Sequence, residues 1–457
     1  MKKLYVISII VSVVLLFTMC NKAGIFNESG YDERLSGGMA TVFDETSKSF
    51  GHEIPLLNER DLAVHEIGDA AFEQTFVSAP APVNSGLGPI FNNVSCISCH
   101  HNDGKGTPTA GFVNSSLLFR LSIPGTDANG GPLPIPGFGG QLQDVAIFGK
   151  QPEANVNISY SNVNVTYPDG EIVTLRKPTY TVTNAYQSLP SNYLISPRLA
   201  PPVFGLGLLQ NIPKATILSF ADEFDADADG ISGKPNYVYN SYTHQREIGR
   251  FGLKANVPNL LMQVAGAYHQ DMGITNYVFP FESSYGQSQI DALNDDPELA
   301  DSLLNHVVFY IKTLAVPARR NTTDADVQAG KQLFTQLNCS GCHKPVIQTG
   351  VDLNLSAINN QRIQPFTDLL LHDMGDDLAD NRPDFLASGK EWRTAPLWGI
   401  GLFAKTNGTP FYLHDGRART IEEAILWHAG EAQQSKQKFM QLSKTDRTKL
   451  LTFIQSL

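Results

Sequence analysis

Cys96-Ile97-Ser98-Cys99-His100 and Cys339-Ser340-Gly341-Cys342-His343 are two copies of one pattern, Cys-x-x-Cys-His, in a chain of 457 residues. Two thiols three positions apart lie along one edge of a helical turn. There they can form thioethers with the two vinyl groups of a haem, while the adjacent His reaches the iron from below. The pattern predicts two covalently bound c-type haems, attached through Cys96, Cys99, Cys339 and Cys342, with His100 and His343 on the irons. A structural zinc site normally takes four ligands, and neither pair is followed by a second Cys pair. A thioredoxin-like dithiol needs no His at the fifth place and expects a βαβ setting that is absent here.

Four of the five cysteines are thereby assigned. The fifth, Cys20, ends an apolar run. Met1-Lys2-Lys3 and then Leu4 to Met19 read as the charged and hydrophobic parts of an export signal over residues 1–20, shorter than the roughly 20 apolar residues of a spanning helix. Phe17-Thr18-Met19-Cys20 looks like a lipobox, which makes Cys20 a lipidation site at the start of the mature chain. Met19 stands where a small residue is usual, so ordinary cleavage and an uncleaved anchor are the alternatives. In each case the body of the protein is expected outside the cytoplasm, in the periplasm or anchored to a periplasm-facing membrane of the cell envelope.

The rest of the chain is long enough for two to three domains at about 100 to 200 residues each. A net charge of −11 without a basic run argues against nucleic acid, since phosphates are bound by clustered Lys and Arg. An acidic surface suits a basic electron-transfer partner, although solvated faces explain it as simply.

Residues 21–81 read as an N-terminal extension, ending in Ser78-Ala-Pro-Ala-Pro-Val83. Beyond the first motif the chain is rich in breakers, as in Asp103-Gly104-Lys105-Gly106 and Pro132-Leu-Pro-Ile-Pro-Gly137. From Val156 to Val182 apolar and polar residues alternate on both sides of Pro168-Asp169-Gly170, which signals a β-hairpin. A helical pattern resumes from Asp291 to Leu314. In the second half, Thr323-x-x-Asp326 resembles a capping box opening a helix with Val327, Gly330, Phe334 and Leu337 on one stripe. Ser443-x-x-Asp446 opens a last helix with Leu450, Leu451, Ile454 and Leu457 on its stripe. Two amphipathic helices bracketing a haem motif look like a cytochrome c domain, crossing near Gly330. The expected fold is therefore mainly α, with two cytochrome c-like haem domains over residues 82–320 and 321–457, the first carrying a loop-rich insertion with the hairpin.

Arg198-Leu-Ala-Pro-Pro-Val-Phe-Gly-Leu-Gly-Leu208 resembles Arg393-Thr-Ala-Pro-Leu-Trp-Gly-Ile-Gly-Leu402, each downstream of a haem motif. A duplicated haem module explains this faint repeat; coincidence between two Gly/Pro loops is the alternative.

Six further stretches carry a family resemblance over most of the mature chain. They are Leu35-Ser-Gly-Gly38, Gly86-Leu-Gly-Pro-Ile-Phe91, Gly249-Arg-Phe-Gly252, Asp271-Met-Gly-Ile-Thr275, Leu370-Leu-His-Asp-Met-Gly375 and Leu413-His-Asp-Gly-Arg-Ala-Arg-Thr420. Together they resemble the bacterial di-haem oxidoreductase family, labelled thiol oxidoreductase or peroxidase and similar to the di-haem cytochrome c peroxidases. The resemblance implies two cytochrome c-like domains facing each other, one haem gathering electrons and the other meeting an oxidant such as peroxide. It also implies a small cytochrome or copper protein as electron donor.

A Met opposite the His raises a haem's potential, while an open position admits peroxide. Met374, 31 residues after His343, resembles the ligand Met of the di-haem peroxidases in its placement, with His372 as competitor and core packing as the plainer role. Met272, in a similar Asp-Met-Gly loop, is a weaker candidate for the first haem. The peroxidases carry a distal His soon after the first motif. Here only His244, His269 and His306 lie between His101 and His343, none at a matching spacing, so an open or water-bound first iron is the expectation. Heterolysis of peroxide there would need a base, for which Glu, Gln or His are the candidates.

His414-Asp415-Gly416-Arg417 precedes Thr420-x-x-Glu423, a capping box for a helix with Ile421, Ala424, Ile425 and His428 on one face. Arg417 or Arg419 could hold a haem propionate, and His428 on an apolar face reads as a satisfied core residue. Asp225-x-Asp227-x-Asp229-Gly230 spaces three carboxylates as a calcium loop does, although the twelfth position is Asn236 rather than Glu. An acidic turn is the alternative.

Three functions follow: a peroxidase-like di-haem enzyme, a pure electron carrier with both irons six-coordinate, and an oxidase of a protein thiol or side chain. No spare Cys supports a dithiol mechanism for the third.

Overall fold

A computed structural model describes residues 31–110, 115–284, 286–291 and 293–457. The expected export signal over residues 1–20, with Cys20, lies outside these residues. The longer helices are α1 (Glu59–Glu73), α2 (Leu260–Asp271), α3 (Asp301–Thr313), α4 (Ala325–Gln336), α5 (Ile421–Trp427), α6 (Gln433–Gln441) and α7 (Lys444–Ser456). The longer strands are β1 (Leu117–Thr126), β2 (Asn155–Thr166), β3 (Ile172–Thr183) and β4 (Leu194–Leu199). Arg34–Leu457 is one compact unit. No helix among the described residues is long and apolar enough to cross a membrane.

The expectation of a mainly α fold is overturned: helix accounts for 28% of the chain and strand for 20%. Among the described residues the strands are spread over eight small sheets, seven of them with two strands and one with three. The physical reason is the density of Pro and Gly between the first motif and α2, which cuts the chain into pieces too short for helices and leaves ribbon pairing to satisfy the backbone. β1 is the central strand of the three-stranded sheet, paired antiparallel with β4 from Leu117↔Leu199 to Ser122↔Leu194.

The helical frame repeats. In the second half α4 crosses α7 at Gly330, where a β-carbon would run into the Lys449 carbonyl oxygen and stand 2.7 Å from Phe453 Cβ. In the first half α1 crosses α3 at Gly68, where a β-carbon would run into the His306 carbonyl oxygen and stand 2.7 Å from Tyr310 Cβ. One turn beyond each glycine a phenylalanine faces a motif histidine: Phe72 lies 6.2 Å from His100 and Phe334 lies 6.3 Å from His343, ring to ring. The crossing at Gly330 was expected; α1, inside the stretch read as an extension, was not.

Local signals explain the helix ends. Thr420 accepts from Glu423 N and Ser443 from Asp446 N, as their capping boxes require. For α4 the cap is Asp324, one residue later than Thr323, because its carboxylate takes both Asp326 N and Val327 N. α3 begins only at Asp301, ten residues into the expected helical stretch. The hairpin is present, β2 and β3 pairing over twelve residues each, from Asn155↔Thr183 to Thr166↔Ile172. Its tip ties the insertion to the C-terminal helices: Arg447 on α7 lies 3.8 Å over the Tyr167 ring and pairs with Asp169 and Glu171. Tyr167 Oη donates to Glu422 on α5 at 2.7 Å.

Candidate haem cavity

Both Cys-x-x-Cys-His motifs open on one cavity of about 460 Å³, lined by Cys96, Cys99 and His100 on one side and Cys339, Cys342 and His343 on the other. Its walls are largely apolar, with Phe72, Phe204, Trp398 and Phe334 among them. Cys96–Cys99 is one helical turn and Cys339–Gly341 one 3₁₀ turn, so each pair of thiols lies along one edge as the spacing required. Burial pushes the Cys96 and Cys339 thiols up to about 12. Thiols held so firmly protonated are poor redox dithiols. His100 Nδ1 lies 2.7 Å from the Pro201 carbonyl and His343 Nδ1 lies 2.9 Å from that of Phe366. Each ring is thereby fixed as the Nδ1–H tautomer, with the Nε2 lone pair left for an iron. Burial holds both imidazoles neutral, with pKa values down to about 4.

Met374, His372, His414 and His428 all line the cavity, as does Met272. His372 is not free to ligate: its Nε2 lies 2.9 Å from Asp368 and its Nδ1 2.7 Å from Glu431. Hydrogen bonds to those two carboxylates lift its pKa above the usual value despite burial. His414 stacks on Trp392 with ring centroids 3.7 Å apart. Met272 is the C-terminal cap of α2, is 2% exposed and packs in the main core. His101, His244, His269 and His306 lie off the cavity.

A family model described as "Di-haem oxidoreductase, putative peroxidase" matches residues 31–457. The chain belongs to the di-haem oxidoreductase family. No curated protein matches it. Among solved structures it is similar to Kuenenia stuttgartiensis hydrazine synthase, pressurized with 20 bar xenon, at 14% identity and a TM-score of 0.36, covering 96% of this chain and 100% of that one. That likeness is too weak to carry an argument.

A di-haem oxidoreductase must satisfy the carboxylates of its haems as well as their irons, and the cavity has the cations for it. Lys105, Arg120, Arg198 and Arg393 line it. Burial lowers all four pKa values, Lys105 to about 8 and Arg198 and Arg393 to about 10. Arg198 Nη2 is buried with no hydrogen-bond partner, 3.5 Å from Asp384 and 3.7 Å from Asp380. An orphaned guanidinium nitrogen on a cavity wall fits an anionic group that belongs there. Arg198 and Arg393 are also the paired first residues of the sequence repeat. Arg417 and Arg419, the expected propionate holders, are taken instead by Asp415 and Glu423 and lie off the cavity.

Asp271 lies beside the first motif, where its charge raises the pKa of both Cys96 and Cys99 after burial has done so. Burial raises the pKa of Asp271 itself, opposed by the charge of Arg120 and by Gln141, whose Nε2 donates to its carboxylate at 2.8 Å. Asp271 is thus an Asp where a Glu, Gln or His is the expected base, and it is the neighbour of Met272 in the Asp-Met-Gly loop.

Asp225 and Asp227 come together with Asp222, which the spacing argument missed, and Asp229 stands outside that group. The carboxylates cap their own loop, Asp222 taking Ala226 N and Asp225 taking Gly230 N. Asn236, at the twelfth position, is buried and bonds Lys254 O and Asp384 O, away from the loop.

Proposed function

We propose that the chain is a peroxidase-like di-haem enzyme of the cell envelope, with c-type haems attached through Cys96 and Cys99 and through Cys339 and Cys342, and with His100 and His343 on the irons. The observation that carries this is the single cavity shared by both motifs, with a buried carboxyl and guanidinium, Asp271 and Arg120, on the side of the first. Haem bound there supplies the iron that meets the oxidant and the electrons that reduce it. Asp271 takes a proton from one peroxide oxygen and returns it to the other. Arg120 stabilises the negative charge building on the departing oxygen, and Gln141 holds the carboxylate in place. The apolar wall keeps bulk water from competing for these groups. Phe204 and Trp398 lie on the wall shared by the two motifs, which suits passage of electrons from the second haem to the first.

The donor on this reading is a small cytochrome or copper protein. Export by residues 1–20, with Cys20 as a lipid anchor, places the enzyme where such donors and c-type haem assembly are found. The cysteines among the described residues all belong to the two motifs, which leaves no dithiol for a thiol oxidase. The test is an optical and EPR titration of the purified holoprotein with peroxide. One reactive high-spin haem beside one inert low-spin haem supports the enzyme; two inert low-spin haems make it an electron carrier.

A further inference from the structure

Three histidines on the cavity wall share one arrangement, and only two belong to the motifs. His428 Nδ1 lies 2.7 Å from the Ala424 carbonyl one turn back, as His100 Nδ1 lies 2.7 Å from Pro201 O and His343 Nδ1 2.9 Å from Phe366 O. In each the Nδ1–H is donated to backbone, which fixes the ring and leaves the Nε2 lone pair for something else. The other cavity histidines are wired differently: His372 is held at both nitrogens by carboxylates and His414 is stacked flat on Trp392. Among the described residues nothing hydrogen-bonds His428 Nε2, and the ring lines the same cavity as His343.

His428 belongs to the second motif's end of the cavity. Three residues on, Glu431 lies 2.7 Å from His372 Nδ1, which itself stands 3.5 Å from Cys342 Sγ. The position is built rigidly. His428 is the C-terminal cap of α5, Trp427 before it is 3% exposed, and the following residues lock onto the loop that carries Met374. A β-carbon at Gly375 would stand 2.8 Å from Ala429 Cβ, and one at Gly430 would run into the Asp373 carbonyl oxygen. Met374 and His428 are therefore neighbours competing for one role.

We propose that His428, and not Met374, is the sixth ligand of the second haem iron, so that this haem is held by two imidazoles while Met374 packs in the core. Met374 contacts the main core cluster, the ordinary task of a Met, whereas the His428 ring lines the cavity with Nδ1 fixed to backbone and Nε2 left over. Two imidazoles leave the second haem at a lower potential than a His/Met pair would, since it is the thioether that raises it. The second haem is then the stronger reductant, suited to driving electrons towards the first.

This inference rests on haem attachment at Cys339 and Cys342, which covalent haem content measures separately. The experiment takes the full holoprotein, Met374→Leu, His428→Gly and His428→Met, and records EPR, near-infrared spectra and potentials, with haem per chain by mass. The expected result is no sulfur-to-iron charge-transfer band in the wild type or in Met374→Leu. His428→Gly should lose one low-spin signal and regain it with added imidazole, and His428→Met should raise one potential. A sulfur-to-iron band in the wild type that vanishes in Met374→Leu overturns the proposal, as does an unchanged low-spin signal in His428→Gly. Absence of the second covalent haem from the wild type would instead sink the attachment reading.

Discussion

Gly205 lies directly against Trp398: a β-carbon there would stand 2.7 Å from the indole Cζ2. The contact is reciprocated, because a β-carbon at Gly399 would stand 2.5 Å from Phe204 Cζ. Aligning the two stretches with one extra residue after Ala-Pro in the first pairs Gly205 with Gly399 and Phe204 with Trp398, so each repeat presses its glycine on the other's ring. The two glycines share one left-handed backbone, with φ of +69° and +71°. Two positions on, Gly207 meets the Lys312 carbonyl of α3 and Gly401 meets the Gln455 carbonyl of α7. Equivalent contacts on equivalent helices, added to the crossings at Gly68 and Gly330, support duplication of one haem module over coincidence.

Gly205→Ala and Gly399→Ala should each destabilise the fold by more than Gly170→Ala. All three positions have positive φ, but the β-carbon at Gly170 would meet nothing within 4 Å. Backbone strain alone costs about 1–2 kcal/mol, and overpacking a close ring contact adds roughly 1–3 kcal/mol. Chemical denaturation of the three variants checks the order. Equal losses would mean that the inter-repeat contact gives way freely.

Cys96→Ser/Cys99→Ser and Cys339→Ser/Cys342→Ser should each leave one covalent haem per chain. Haem staining after denaturing electrophoresis, with intact mass, reads this directly. Retention of both haems by either double variant would contradict attachment at that motif.

The two haem motifs, the hairpin, two capping boxes and the Gly330 crossing were legible because each is a local pattern of residue types. The strand content was not, since strands of two or three residues, such as Ile90–Phe91 or Leu371–Asp373, carry no periodicity to read. Gly68-x-x-x-Phe72 of α1 matches Gly330-x-x-x-Phe334 of α4, but the match is hidden by its distance from the motif. The second glycine precedes its motif by a few residues and the first by nearly thirty, so only the three-dimensional crossing shows that they correspond. Asp271 and Arg120 meet from α2 and β1, far apart in the chain, and no spacing rule could join them. His372 was a fair competitor for iron until the structure put Asp368 and Glu431 on its two nitrogens.

Asp271→Asn should slow the reaction with peroxide about 10²- to 10⁴-fold, the usual worth of a positioned base, while both haems stay attached and the resting spectrum is kept. Arg120→Lys keeps the charge but not the planar fork, and should recover part of the rate that Arg120→Ala loses. Stopped-flow absorbance at several peroxide concentrations checks both. A rate for Asp271→Asn within a few-fold of the wild type would move the proton transfer to another group.

Glu153 makes stability depend on pH. It is 0% exposed, accepts from Gln143 N at 2.8 Å, and leaves its Oε1 without a partner. Burial raises its pKa from 4.5 to about 8. The folded chain thus holds a proton that the unfolded chain releases above 4.5, so the stability contributed by the neutral carboxyl is fully present below that value and is lost as pH rises towards about 8. The loss between about pH 5 and about pH 8 is on the order of a few kcal/mol, because each tenfold change in proton affinity is worth about 1.4 kcal/mol. Glu153→Gln carries the neutral form at every pH and should unfold at nearly the same denaturant concentration at both ends of that range, overtaking the wild type at the alkaline end. Parallel curves for the two proteins would show that Glu153 is ionised in the fold and that some other group compensates it.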